Sequence, residues 1–360
     1  MPRRYIRLVI AFAVILVSGI LLSRSNKIEA PSSSLKTAPP AVSTSIASGT
    51  ALSEATTSVK ILFGGDIFLD RAIRRTIDAR GKDYLWSEIT PLLKNYPHIV
   101  ANLEGPILDK PEASANSSFS FAFRKEDIAE LKTIGFTDLS LANNHTLNEG
   151  TNGLINTRNA LKESGINYFG DSGNAADKSY IKEEWDGQKI ALIGDHDLVP
   201  QGKSEIINQI QKLHSEDYFV IAYPHWGIEY ATTIPAIERE RAHELIDAGA
   251  DLIIGSHPHV IQPIELYKGR IIFYSLGNLL FDQYFSFGTM HGLLVGLEID
   301  KNELKFTLYP MEQDRTYKIH MADNILKNDI LKRTANSSNV PQEMQKNIQA
   351  GAFTIPRGIK

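Results

Sequence analysis

Leu252-Ile253-Ile254-Gly255-Ser256-His257-Pro258-His259 is a short apolar run that stops on two histidines. Such a run, bounded by Gly and Pro, reads as a buried strand. In open α/β sheets, ligands sit outside the carboxyl ends of the strands. Two imidazoles in i, i+2 spacing just past a strand end read as metal ligands in preference to a turn with two surface histidines. That spacing allows each ring to address a different ion of a pair.

Four other runs end in the same way. Ile61 to Asp66 ends on Gly-Gly-Asp, and Ile99 to Glu104 on Asn-Leu-Glu. Leu139 to His145 ends on Asn-Asn-His, and Val220 to Gly227 on His-Trp-Gly. Imidazole suits zinc-like ions, while carboxylate and amide oxygens suit harder ions such as manganese, and this array mixes both. His225, a ring that elsewhere would be read as structural, gains a metal reading from its place at an equivalent strand end. Asn143 and Asn144 either cap a turn or offer an amide oxygen as a ligand, which leaves His145 for acid–base work. Asp66 and Glu104 either cap following helices or supply the negative charge that a pair of dications needs, with Glu104 able to bridge.

Working outward, strands and helices alternate from Val59. Strands are expected at Val59–Gly65, Ile99–Leu103, Leu139–Ala142, Lys189–Gly194, Val220–Tyr223 and Leu252–Ile254. Helices are expected at Asp70–Ala79, Tyr84–Lys94, Lys125–Ile134, Thr151–Ser164, Glu205–Leu213 and Ile234–Ala248. The alternation predicts an α/β domain with a largely parallel sheet. Beyond Pro258, Val260–Tyr267, Arg270–Ser275, Gly292–Ile299 and Leu304–Tyr309 predict antiparallel strands joined by short turns at Lys268-Gly269 and Lys301-Asn302. The expected divisions are 1–23 as an anchor, 24–58 as a flexible Ser/Thr/Ala/Pro-rich linker, 59–315 as the folded domain and 316–360 as a polar, helical or disordered tail.

Composition narrows the field. A formal net charge of −4 with no basic stripe makes nucleic acid an unexpected partner. The chain has no cysteine, which excludes disulfides, thiolate metal sites and an acylated anchor, so any metal must sit on N and O ligands. Arg3, Arg4 and Arg7 precede an apolar run from Leu8 to Leu22. By the positive-inside rule this run predicts a single-pass helix in the cell membrane with the domain on the extracytoplasmic side. The alternatives are a cleaved signal peptide and a buried core helix, and no small-x-small cleavage site follows the run.

The ordered motifs Gly65-Asp66, Asn102-Leu103-Glu104-Gly105-Pro106, Ala142-Asn143-Asn144-His145, His225-Trp226-Gly227, Gly255 to Val260 and Tyr274 to Asn278 resemble the CapA family of capsule-synthesis proteins, associated with poly-gamma-glutamate. That family in turn resembles the calcineurin-like metallophosphoesterases. The likeness runs from about Lys60 to Phe281. It implies a four-layer α/β/β/α sandwich and two divalent ions of manganese, zinc or iron. Asp66 and His259 would serve one ion, Asn144, His225 and His257 the other, and Glu104 both. His145 would be the acid beside the leaving group. The implied activity is metal-dependent phosphoester hydrolysis in the synthesis or export of an anionic surface polymer such as poly-gamma-glutamate. The implied partners are polymer-synthase membrane subunits and an anionic polymer or phosphoester substrate. The alternative is a non-catalytic, metal-stabilised accessory subunit. This chain departs from the wider D-x-H motif, because Asp66 is followed by Ile67 and Phe68. Asp195 and His196, after the strand Lys189–Gly194, either fill that gap or form a loop pair at the rim. Arg71 reads equally as an anion clamp and as an exposed helix residue, and Asn278 as an orienting partner for a ligating histidine. Asn148 stands where relatives often carry Asp. Glu229, Tyr230 and Asp282 are lesser candidates.

Overall fold

The computed structural model describes residues 58–115, 119–172 and 179–358. Ile61, Leu62 and Phe63 expose no surface, and the two-residue period of a strand sends their side chains to opposite faces. Leu62 joins a core with Ile99, Leu103 and Leu139 and with helix residues Ile73, Ile128, Leu131 and Leu161. Ile61 and Phe63 join a second core with Ile190, Leu192, Ile221, Leu252 and Ile254. The intervening residues Ala191, Ile193, Val220, Ala222 and Ile253 turn to a third core with Ile206, Ile210, Leu213, Ala242 and Leu245. These cores separate helices, sheet, sheet and helices.

The first sheet has nine strands, with a main path Ile319–Met321, Glu303–Gln313, His291–Ile299, Val59–Ile67, His98–Leu103, Asp138–Ser140, Asn167–Phe169. The second has six, in the order Ile264–Tyr267, Arg270–Phe273, Leu252–Ile254, Phe219–His225, Gln188–His196, Tyr180–Trp185. Val59–Ile67, His98–Leu103 and Asp138–Ser140 are parallel neighbours. So are Gln188–His196, Phe219–His225 and Leu252–Ile254. Parallel strands present their carboxyl ends at one edge, and each sheet therefore delivers its polar termini together. Gly65 and Gly255 permit the close approach there: a Cβ on Gly65 would sit 1.7 Å from Gly277 O, and one on Gly255 2.0 Å from Tyr274 O.

Several expectations are corrected. The antiparallel pairing of His291–Ile299 with Val59–Ile67 agrees with expectation, but an unexpected strand, Tyr180–Trp185, pairs antiparallel with Gln188–His196, so both sheets are mixed. The expected helix Tyr84–Lys94 is a 3₁₀ turn, Lys82–Leu85, and a short helix, Thr90–Leu93. Pro91 lies in the first turn of that helix, where its missing N–H costs no bond. The strand expected from Val260 begins at Ile264, directly after Pro263, which has no N–H to give a ladder; upstream, His257 and His259 take φ of +98° and +58°.

Residues after 315 are helical in part, as expected, over Asn324–Ser337 and Gln342–Ala350, but they are built into the fold and do not form a tail. Ala352–Pro356 and Ile319–Met321 pair with Glu303–Gln313, and helix Asn324–Ser337 buries Ile330, Leu331 and Ala335. The alternation of Phe353 and Ile355 with exposed residues supplies the strand period.

The anchor expected over Leu8 to Leu22 and most of the linker lie outside the described residues. Among the described residues no helix is long and apolar enough to cross a membrane. The longest, Gly150–Ser164, has 15 residues, about 22 Å against a hydrocarbon core of roughly 30 Å. It buries one face only. The described residues thus give the expected single-pass placement in the cell membrane no support.

Candidate metal centre

Asp66 lies near the end of its strand with no exposed surface. Asn102 Nδ2 donates to its Oδ1 at 2.8 Å, and the backbone N–H of His257 to its Oδ2 at 3.2 Å. That second bond joins the two sheets. It also holds His257 at its unusual φ, a strain that persists only where surrounding contacts over-determine it. Glu104, one residue past its strand, is fully buried, and its Oε1 has no hydrogen-bond partner. His259 Nε2 and His145 Nε2 approach that oxygen at 3.6 and 3.8 Å, beyond normal hydrogen-bond length. His257 Nδ1 is likewise buried without a partner.

His225 carries the most telling contact. Ser256 Oγ donates to Pro224 O at 3.2 Å, so its oxygen is left to accept from His225 Nδ1, 3.1 Å away. That assignment places the His225 proton on Nδ1 and a lone pair on Nε2. Nε2 lies 2.9 Å from Asn144 Oδ1, another acceptor. Two acceptors at this separation suit a shared cation: ligands about 2.1 Å from one ion at right angles are about 3 Å apart.

Electrostatics point the same way. Burial pushes Glu104 well above the ordinary carboxylate range, and Asp66 and Glu229 add to it against the pull of His259. Burial acts to lower His259, but Glu104 and Asp66 outweigh it and hold the ring at about 9. A proton thus stays between the two carboxylates, and a cluster that retains a proton so strongly is one that calls for a cation. Burial, with neighbouring rings, drops His257 to about 3, and burial drops His145 to about 4 despite its bond to Asn148. Both are neutral near pH 7, the state a ligand or a lone-pair donor requires. Ligand atoms of Asp66, Glu104 and His225 lie within 4.8 Å of one another, as do those of Glu229, His257 and His259. The donor set fits divalent ions.

The profile described as "Bacterial capsule synthesis protein PGA_cap" matches residues 60–283. The chain belongs to this family. Among PGA_cap relatives, the capsule biosynthesis protein CapA of Bacillus anthracis is 33% identical over 241 residues, 61% of this chain and 59% of that protein. The chain thus spans just under three-fifths of that relative's length. The PGA biosynthesis protein CapA of Bacillus subtilis (strain 168) is 28% identical over 296 residues, 77% of this chain and 78% of that protein. These matches bear out the resemblance to the CapA family. The solved structure of TT1561 from Thermus thermophilus aligns over 68% of this chain and 99% of its own at 12% identity, and its TM-score of 0.38 carries no argument.

Within the PGA_cap region, Asp66, Glu104, Asn144, His145, His225, His257 and His259 come together. Asn278 joins them from below: its Oδ1 meets His259 Nδ1 at 2.9 Å. His145 is held by Asn148 Nδ2, which lies 3.1 Å from Nδ1. That bond leaves the proton on Nε2, facing Glu104. His196 sits at the margin, its ring 6.3 Å from that of His225. Asp195 does not join the centre, since adjacent strand residues face opposite ways. Its Oδ2 instead accepts from Arg241 Nε and Nη2 at 3.0 and 2.9 Å. Arg71 pairs with Asp282 and lies over the rings of Phe68 and Phe121, at 4.5 and 5.0 Å. Glu229 is an exposed carboxylate at the rim.

The part played by Asn102 escaped the sequence reading. Its Nδ2 donates to Asp66 Oδ1 and lies 3.5 Å from Glu104 Oε2, and it packs 3.4 Å from the protonated His225 Nδ1 without bonding to it. Asn143 fixes it in turn, donating from Nδ2 to Asn102 Oδ1 at 3.0 Å and to Leu103 O at 2.8 Å. The available signal was an amide two residues before Glu104, hence on the same strand face, in an otherwise apolar run.

Proposed function

We propose that this PGA_cap protein is a metal-dependent phosphoesterase acting in the synthesis or export of an anionic surface polymer such as poly-gamma-glutamate. The observation that carries the reading is the pair of facing acceptors, His225 Nε2 and Asn144 Oδ1, beside the unpartnered Glu104 Oε1 and His257 Nδ1. Asn144, His225, His257 and Glu104 would hold one ion, and Asp66, His259 and Glu104 a second, of manganese, zinc or iron. A bound dication supplies Lewis-acid chemistry, polarising a phosphoryl oxygen and acidifying water. His145 holds a proton at Nε2 and is positioned to hydrogen-bond the leaving oxygen. An anionic substrate beside it would raise its basicity and favour the imidazolium that a general acid needs.

His145→Ala tests the division of labour. Metal content should stay near wild type, while kcat on phosphomonoesters falls by about 10²–10⁴, and less for leaving groups of low pKa. Equal loss of metal and activity would make His145 a ligand instead.

A second reading, a metal-stabilised accessory subunit without catalysis, draws support from Phe68 in the D-x-H position and from the two protein donors already on Asp66. A relative in Mycobacterium tuberculosis (strain ATCC 25618 / H37Rv) is named as a probable polyglutamine synthesis accessory protein, 24% identical over 287 residues, 62% of this chain and 74% of its own. Full metal occupancy with no hydrolysis of mono- or diesters above background would favour that reading.

A further inference from the structure

Apolar surface borders the charged centre. Ile228, Tyr230, Phe285 and Phe287 are 60, 41, 64 and 48% exposed. The Tyr230 ring stacks 6.0 Å from that of His259 and meets Phe285 edge-on at 4.9 Å. Tyr230 is held at φ +65° by its backbone N–H, which donates to Pro258 O at 2.8 Å. Exposed aromatics grouped at the rim of a polar site mark a binding surface.

Beside this rim is a cavity of about 410 Å³ walled by Val260, Ile261, Phe287, Ile330 and Thr233, within the range that organic ligands occupy. Its wall is tied to the metal centre. Val260 directly follows His259, and Asn278, whose Oδ1 meets His259 Nδ1, also donates to Thr289 O at 3.0 Å in helix Phe287–Met290. The polar groups of the lining are largely engaged within the fold; the charged one, Arg333, stands at the exposed edge, where its Nε donates to Asp329 Oδ2 at 2.7 Å and its guanidinium lies over the Phe287 ring. Thr334 Oγ1 donates to Ile330 O at 2.9 Å, Ser337 Oγ to Arg333 O at 3.1 Å, and His291 Nδ1 lies 2.5 Å from Phe287 O. A lining whose inner walls are apolar and whose hydroxyls are spent on backbone carbonyls suits hydrocarbon better than a sugar or a peptide.

We infer that this cavity takes the hydrocarbon chain of an amphiphilic phosphoester whose phosphoryl group lies at the metal centre. The head-group half rests on the phosphoesterase reading; the chain half rests on the cavity alone.

The test is calorimetric binding of n-alkyl phosphates from butyl to decyl, below their micelle concentrations, to the full chain in manganese buffer. Affinity should rise about fourfold per methylene until the cavity is filled. Phe287→Ser and Thr233→Trp, both at exposed positions that leave the fold intact, should each cost at least about tenfold in decyl phosphate affinity. Both should leave inorganic phosphate binding unchanged. A flat series in the wild type, or an equal gain with length in both variants, overturns the inference. Chain-length dependence without metal dependence or hydrolysis keeps the cavity assignment and removes the phosphoesterase reading. Hydrolysis of short phosphoesters with a flat series does the reverse.

Discussion

At the residue scale, the centre depends on histidines kept neutral by burial and one kept charged by carboxylates. This arrangement has a definite pH signature in metal-stripped protein. Burial holds His145 at about 4 and His257 at about 3, against about 6.5 for an unfolded histidine. As pH falls through about 6.5 the unfolded chain gains protons that the folded chain refuses, so stability drops toward pH 4. His259 has the opposite sign. Its folded value of about 9 lies above the unfolded one, so its contribution is complete below about 6.5 and is lost as pH rises through 9. The urea midpoint in chelator should therefore peak near neutral pH and decline on both sides. A midpoint that is flat from pH 4 to 9 would contradict these assignments. Asn102 and Asn143 show what residue types alone conceal. Amides in turns and strands are common, and only the fold places Asn102 Nδ2 against Asp66, Glu104 and His225 together.

At the element scale, the strands that carry the centre were legible because each is a short apolar run broken by a polar cluster. The elements that were missed have weaker local signals. Asn167–Phe169 and Asn278–Leu280 are three residues long, too short for a period to register. The stretch Val260–Pro263 is apolar enough to read as strand, but it continues from the turn at His257 and His259, whose positive φ no composition encodes, and it ends on Pro263. The closing strand Ala352–Pro356 was hidden by its polar surroundings, yet Phe353 stacks on Phe306 at 4.9 Å and is 4% exposed. Phe353→Ala should cost about 3–5 kcal/mol, the usual range for a buried aromatic, read as a shift of the denaturant midpoint. A change within about 0.5 kcal/mol, typical of surface positions, would show that the C-terminal segment is peripheral.

At the scale of the whole molecule, the two sheets are joined by the candidate centre as well as by their shared core. Asp66, Glu104, Asn144 and His145 lie at strand ends of the first sheet, and His225, His257 and His259 at strand ends of the second. The hydrogen bond from His257 N to Asp66 and the 2.9 Å approach of His225 Nε2 to Asn144 Oδ1 cross between them. The array of strand ends was readable from sequence, as was the membership of the CapA family. Which side chains face one another across the sheets was not, because it depends on strand register and on the packing of one sheet over the other. Asp195 and His196 illustrate the point: neighbours on one strand, they part to opposite faces.

The central claim is that these residues form one metal centre. The most direct measurement is elemental analysis of the full-length protein, purified from metal-supplemented growth, alongside His257→Ala. The account predicts at least about one manganese, zinc or iron ion per chain in the wild type, a sharp fall in the variant, and a lower unfolding temperature after chelation of the wild type. A wild type without metal, whose unfolding temperature does not change with chelator, would contradict it.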